Sequence, residues 1–550
     1  MLDRPQVFEF PTQVVAMSAP LALARRITVC FLLSVAAICT LAGAVAAQGL
    51  DAAEDQQGQQ QIDPQAEFNR GEEALAKGDF DTALDAYDKL VNAFKQQTAS
   101  PFLPAIHTGR GRAFLGLNDL ESALADFNAA IAADTYETYW PARVFRGNLY
   151  LAVNQPGAAL GDFQAAVEQQ RRNVEALFGL GKSMVLLGGS QQAIKPLSYV
   201  LSAGDDDESA VRLRAEAYSL RAQANAGILK LDEAHEDIER SMAINPDNYE
   251  THFALGTIYL REEKYAEAAE AFADAIERYV PKDPDSAEPF AQGYLTKAAT
   301  MVELGKHSDD SEVKRQAYEA AVADCDTLLE LVGDSPIYAG VRSATEYRRG
   351  VAFRMLGRLG DAINALTEAI NINPELSEAY LRRGICFYHI NEDKLAEADF
   401  RMAASIAYDD PRMRLWEGFT LAKMGEYYEA IRAYGQAITE SDRYVPAFVN
   451  RGLAYLALED YEKAIADFDD AIRLEPTVAG HYFKRGVAYE GLGDYEKAAD
   501  SFANAARFDE DFVPAYRRAA DALAAMGQNE LAGEYRKTAA ELAAKQQPKP

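Results

Sequence analysis

Cysteine is scarce. The chain has 4 in 550 residues, and two of them, Cys30 and Cys39, sit in an N-terminal apolar run. Only Cys325 and Cys386 remain beyond it, which excludes a disulfide scaffold and a four-cysteine zinc site. Basic residues are outnumbered, 55 Lys and Arg against 85 Asp and Glu, for a net charge of −30. Nucleic acid is therefore not an expected partner, because phosphate binding needs a basic face. The 6 histidines show no His-Glu-x-x-His spacing, and neither a metal nor a cofactor is expected. Gly179-x-Gly181-Lys182-Ser183 looks like the end of a phosphate-binding loop, but Ala176 stands where its first glycine is required. The acidic run Asp205–Glu208 reads as a solvated loop rather than a cation site.

The N-terminus carries the one long apolar run. Arg25-Arg26 precede the uncharged stretch Ile27 to Ala47, which ends in Ala44-Val45-Ala46-Ala47. A basic region, an apolar region and small residues at the end are the parts of a secretory signal peptide. The same run is long enough to span a bilayer as an uncleaved anchor. Residues 1–47 are thus expected to be a signal peptide or an N-terminal membrane anchor, with cleavage preferred. Both readings place the remainder outside the cytoplasm, periplasmic or secreted, because the arginines stay inside. Residues 48–63 are Gln-, Gly- and acid-rich and read as a flexible linker, and 545–550 as a tail.

Between these ends the chain is periodic. Tyr461–Pro476 (YEKAIADFDDAIRLEP), Tyr495–Phe508 (YEKAADSFANAARF) and Tyr265–Tyr279 (YAEAAEAFADAIERY) repeat one another. An alanine recurs in them, at Ala83, Ala123, Ala159, Ala193, Ala234, Ala268, Ala321, Ala362, Ala396, Ala430, Ala464, Ala498 and Ala532. The intervals are 40, 36, 34, 41, 34, 53 and 41, then 34 five times. Within a unit, Ala447, Phe448, Gly452 and Tyr455 share one helical stripe, and Ala464, Ile465, Phe468, Ala471 and Ile472 share a second. A small residue, such as Gly384, Gly418, Gly452 or Gly486, recurs inside each first helix. Mid-helix glycine costs about 1 kcal/mol against alanine, so its recurrence requires close helix contact.

These residues resemble the tetratricopeptide repeat family. Phe448-x2-Arg451-Gly452-x2-Tyr455 is followed by Ala464-x3-Phe468, Ala471 and Pro476. Tyr482-x2-Arg485-Gly486-x2-Tyr489 is followed by Ala498-x3-Phe502 and Ala505. Arg replaces the family's Leu before the glycine, and Tyr or Phe replaces its Trp. The resemblance covers about residues 64–543. It implies an all-α fold, an α-solenoid (right-handed superhelix) of about thirteen helix-turn-helix repeats. An N-terminal array over 64–342 (units 1–7, with insertions) precedes a regular C-terminal array over 343–544 (units 8–13). Extra residues near Lys306–Gln316 and Ser202–Arg214 are read as longer helices and loops in preference to hinges.

The resemblance also implies a concave groove lined by first helices that binds peptides or protein segments. Two places before the small residue, the last six units read Arg348, Arg382, Trp416, Asn450, Lys484 and Arg518. One place earlier come Tyr347, Leu381, Leu415, Val449, Phe483 and Arg517. An apolar strip beside a mostly cationic ladder suits a peptide with acidic side chains or a terminal carboxylate. The alternative is that these cations pair with carboxylates of neighbouring helices. The expected function is a non-enzymatic protein-interaction scaffold, with a membrane-anchored envelope assembly factor as the alternative and an enzyme as the least favoured reading.

Overall fold

The computed structural model describes residues 62–97, 100–281 and 289–546. The signal or anchor run, most of the linker and the last residues of the tail lie outside them. Among the described residues there are 26 α-helices and no strand. They form thirteen consecutive helix pairs, from Pro64–Lys77 with Phe80–Ala93 to Val513–Ala525 with Asn529–Gln546. Consecutive helices pack on one another from Pro64–Lys77 to Ser311–Val332 and again from Leu359–Ile372 to Asn529–Gln546, and first helices of neighbouring pairs also touch at several steps. The chain is an α-solenoid. It divides into two compact units, with the boundary between Arg348 and Arg349 inside the helix Ala339–Met355.

Local chemistry starts and stops the helices. Asp79 accepts a hydrogen bond from the Thr82 amide at 3.1 Å and Asp119 from the Ser122 amide at 3.0 Å, satisfying amides that have no partner within the helix. Pro141 and Pro411 open their helices, where the missing N–H costs nothing. In every pair except the seventh, one residue at positive φ turns the chain between the two helices. Gly78, Gly188, Gly357, Gly425, Gly493 and Gly527 do this without strain, whereas Leu229, Glu263 and Glu459 adopt it with a side chain attached.

The core is a row of buried rings. Phe127, Phe163, Phe272, Phe400, Phe468 and Phe502 are fully buried, each about 1.5–3 kcal/mol of apolar transfer. Each lies sixteen residues after the small glycine of its first helix. A Cβ on Gly384 would come within 2.7 Å of the Phe400 ring, and one on Gly452 within 2.7 Å of Phe468. The glycine therefore makes room for the ring, a more specific cause than backbone approach. Ala464 and Ala498 are likewise fully buried.

The extra residues lengthen helices. Glu208–Gly227 has 20 residues and Ser311–Val332 has 22, against 13 or 14 in regular pairs. The acidic run serves the first of these. Asp207 caps it through the Ala210 amide at 3.0 Å, and Asp205 pairs with Arg214 at 2.6 Å. Cys325 and Cys386 are buried. No helix among the described residues is long and apolar enough to cross a membrane.

Candidate functional site

The groove positions of the second unit lie on successive first helices. On Ser377–His389, Arg382 reaches Glu378 at 3.5 Å, a carboxylate that also takes Arg412 of the next pair at 2.6 Å. On Pro411–Lys423, Trp416 stacks on Phe400 at 5.7 Å and meets Tyr388 and Phe419 edge-on. On Val445–Ala457, Asn450 Nδ2 donates to the Pro446 carbonyl at 2.7 Å. On Ala479–Gly491, Phe483 is half-buried against Phe502 and Phe512. On Val513–Ala525, Arg518 pairs with Glu490 at 2.6 Å.

Lys484 differs from the arginines. Its Nζ donates to the Gly480 carbonyl at 3.3 Å, and none of the carboxylates among the described residues lies within salt-bridge distance. Burial pushes its amine below the ordinary lysine value. Tyr347 and Arg348 belong to the other unit, at its end, where the guanidinium lies 5.6 Å from the Tyr347 ring centre.

Two expected strip residues face inward. Leu381 and Leu415 are only 2% and 7% exposed. Leu381 shares a core cluster with Phe400 and Met413, and Leu415 with Tyr434 and Ala447. Met413 and Ala447 come from the next first helix, which covers the position that an isolated pair would leave open. The cationic ladder is also partly consumed, because Arg382 and Arg518 already hold carboxylates.

Sequence reasoning missed what the arginine before the small residue does. In each of five pairs it donates through Nε and Nη2 to an aspartate sixteen residues later, on the second helix. The pairs are Arg110–Asp126, Arg146–Asp162, Arg221–Asp237, Arg383–Asp399 and Arg451–Asp467. Nη1 then reaches back to the preceding second helix, to Asp88, Asn128, Ser198 and Thr367 in the first four. One side chain thus joins three helices through a planar fork that lysine lacks. The hydrogen bonds to aspartate raise the arginines further above their usual value. Burial pushes the Asp399 and Asp467 carboxyls up. Burial acts the same way on Asp126, but hydrogen bonds from His107 and Arg110 outweigh it and hold that carboxyl below the ordinary range. The signal was present in the sequence as Arg and Asp at a constant separation of sixteen.

The phosphate-loop look-alike is part of the packing. Lys182 lies inside the helix Val174–Leu186 and pairs with Glu216, and the Ser183 hydroxyl donates to the Gly179 carbonyl at 2.8 Å.

Paired helices stacked in series with a short repeat define a helical-repeat protein, and sequence comparison specifies which. The tetratricopeptide repeat profile matches residues 44–138, 146–210, 220–287, 347–411, 417–479 and 449–514. The chain belongs to the tetratricopeptide repeat family. It is 29% identical over 100 residues to human tetratricopeptide repeat protein 13, covering 18% of this chain and 12% of that one. It is 22% identical to a DnaJ homolog subfamily C member 7 homolog of Schizosaccharomyces pombe, over 38% of this chain and 52% of that one. It is also 22% identical to rat DnaJ homolog subfamily C member 3, over 44% of each. The chain thus spans about half or less of the length of these relatives. Among solved structures, Cut9 in the APC/C hetero-tetramer Cut9–Hcn1 is similar at 13% identity and a TM-score of 0.37, over 88% of this chain and 94% of that one. Yeast Tom70 is similar at 14% and 0.35, over 85% and 96%.

Proposed function

We propose that this chain is a non-enzymatic scaffold that holds a peptide or protein segment along the first helices of its second unit. Membership of a family whose repeats serve protein interaction supports the general reading. The observation that carries the finer one is Lys484, a half-buried cation with no carboxylate in salt-bridge reach among the described residues, one repeat from Asn450 and from Arg518. A cation in that state attracts a carboxylate from outside. The net charge of −30 supports protein rather than nucleic acid as the partner. The test is capture of partners by the full chain and by Lys484→Glu and Lys484→Met variants. Loss of the same bound proteins in both, with unchanged folding, supports the reading. An unchanged bound set removes Lys484 from it.

The run from Ile27 to Ala47 behind Arg25-Arg26 supports export, with the array outside the cytoplasm. A mature N-terminus near Ala46–Gln48 would make the protein soluble and periplasmic or secreted. An intact N-terminus in the membrane fraction would favour the anchored envelope assembly factor.

A further inference from the structure

Gly480 is the second residue of the helix Ala479–Gly491, and neither backbone nor packing calls for a glycine there. Its φ is not positive. Gly486, in the same helix, makes room for the Phe502 ring, which a Cβ would approach to 2.6 Å. Beyond its chain neighbours, a Cβ on Gly480 meets one side-chain atom among the described residues, Lys484 Nζ, at an ordinary contact distance of 3.5 Å. Glycine is the poorest helix former after proline, so its place here has another cause. What a larger residue at 480 would touch is the lysine amine.

Lys484 has counterparts one and three repeats away, Arg518 and Arg382, and each of them has a carboxylate within the array. Arg382 faces Glu378, four residues back on its own helix, at 3.5 Å. Gly480 holds that place before Lys484. Arg518 reaches Glu490, twenty-eight residues back on the preceding first helix, at 2.6 Å. Leu456 holds that place before Lys484. Both internal acceptors are thus replaced by uncharged residues. An ammonium has three N–H donors, and this one donates to the Gly480 carbonyl at 3.3 Å.

We propose that Gly480 is a specificity-determining residue of the scaffold. It withholds the internal carboxylate that Glu378 gives Arg382, and so leaves the Lys484 amine for one carboxylate of the bound segment, an Asp or Glu side chain or a chain terminus. The proposal rests on the reading of Lys484 above. A glutamate at 480 would stand as Glu378 does, satisfy the ammonium four residues on and repel an incoming acid. Burial holds the amine below the ordinary lysine value, and a carboxylate beside it would raise that value. The titration of Lys484 therefore reports whether such a pair has formed.

The test uses the full-length chain and its Gly480→Glu, Gly480→Gln and Lys484→Met variants. Trace acetic anhydride at stepped pH, with mass spectrometry of the fragment that holds Lys484, follows the titration of that amine. Dodecapeptides selected from a random library on the wild-type chain supply the affinities. The Lys484 titration is expected to move up in Gly480→Glu and to stay in Gly480→Gln. The selected peptides are expected to carry an acidic residue or terminus at a constant position. Gly480→Glu, Lys484→Met and replacement of that acid by its amide each weaken them about tenfold, whereas Gly480→Gln leaves them within about twofold. A Lys484 titration unmoved in Gly480→Glu overturns the role of Gly480. So do peptides that Gly480→Gln weakens as much as Gly480→Glu, or that Gly480→Glu does not weaken. If Lys484→Met still weakens the peptides in those cases, the reading of Lys484 stands without Gly480. Peptides indifferent to Lys484→Met, or no peptides selected, remove both.

Discussion

Arg383 joins the two helices of its own pair: Nε and Nη2 donate to the two carboxylate oxygens of Asp399 at 2.9 and 2.8 Å. Nη1 donates to Thr367 of the preceding second helix at 3.0 Å. In the second, third, fifth and ninth pairs this fork ties the pair to the one before it. In a solenoid, where stability is a sum of repeat and neighbour terms, such ties act on the neighbour term.

Removing one partner should cost far more than removing both. Asp399→Ala leaves a mostly buried guanidinium uncompensated, and a loss of about 3 kcal/mol is expected. The double change Arg383→Leu with Asp399→Leu should lie much closer to wild type, since burial already penalises the Asp399 carboxylate. Urea midpoints of the two single variants and the double variant give the coupling directly.

Asp126 predicts a pH dependence. Its folded-state value lies below the ordinary carboxyl value, so its contribution is present at neutral pH. That contribution is lost as the pH falls past about 4 and through the lowered value. Asp126→Asn should therefore be less stable than wild type at pH 7, and the gap should close towards pH 3. Unfolding midpoints across that range check it, and a constant gap would count against the assignment.

Filling the space kept for the rings should destabilise. Gly486→Ala places a Cβ within 2.6 Å of the Phe502 ring, and Ala464→Leu or Ala498→Leu expands a fully buried site. Each should cost about 1–3 kcal/mol. Phe502→Leu combined with Gly486→Ala should recover part of that loss, which calorimetry of the single and double variants would show.

Leu229 should be improvable. It turns the chain at a φ of 62° and is 72% exposed, so its side chain gains little from packing. Leu229→Gly removes the left-handed strain at some entropic cost, for a net gain of about 0.5–1 kcal/mol. A lowered melting temperature would contradict this.

Much of the fold was legible in the sequence. The alanine at 34-residue intervals, the aromatic four residues after it and the glycine twelve before it define two helices and their register. Thirteen such pairs are present among the described residues. The outward strip was less legible. Leu381 and Leu415 share a helical phase with half-buried Phe483, yet Met413 and Ala447 of the following first helices cover them.

The sequence by itself determined what each helix must bury against its partner, because the 3.6-residue period and the constant spacing act within one repeat. Only the tertiary structure decided what one repeat does to the next. It set Arg383 between Asp399 and Thr367, brought Arg401 to Glu417, and left Lys484 without a carboxylate in reach among the described residues. The reason is physical. Periodicity assigns a side chain to a face of its own helix, whereas its partner depends on the neighbouring helix that packs on that face.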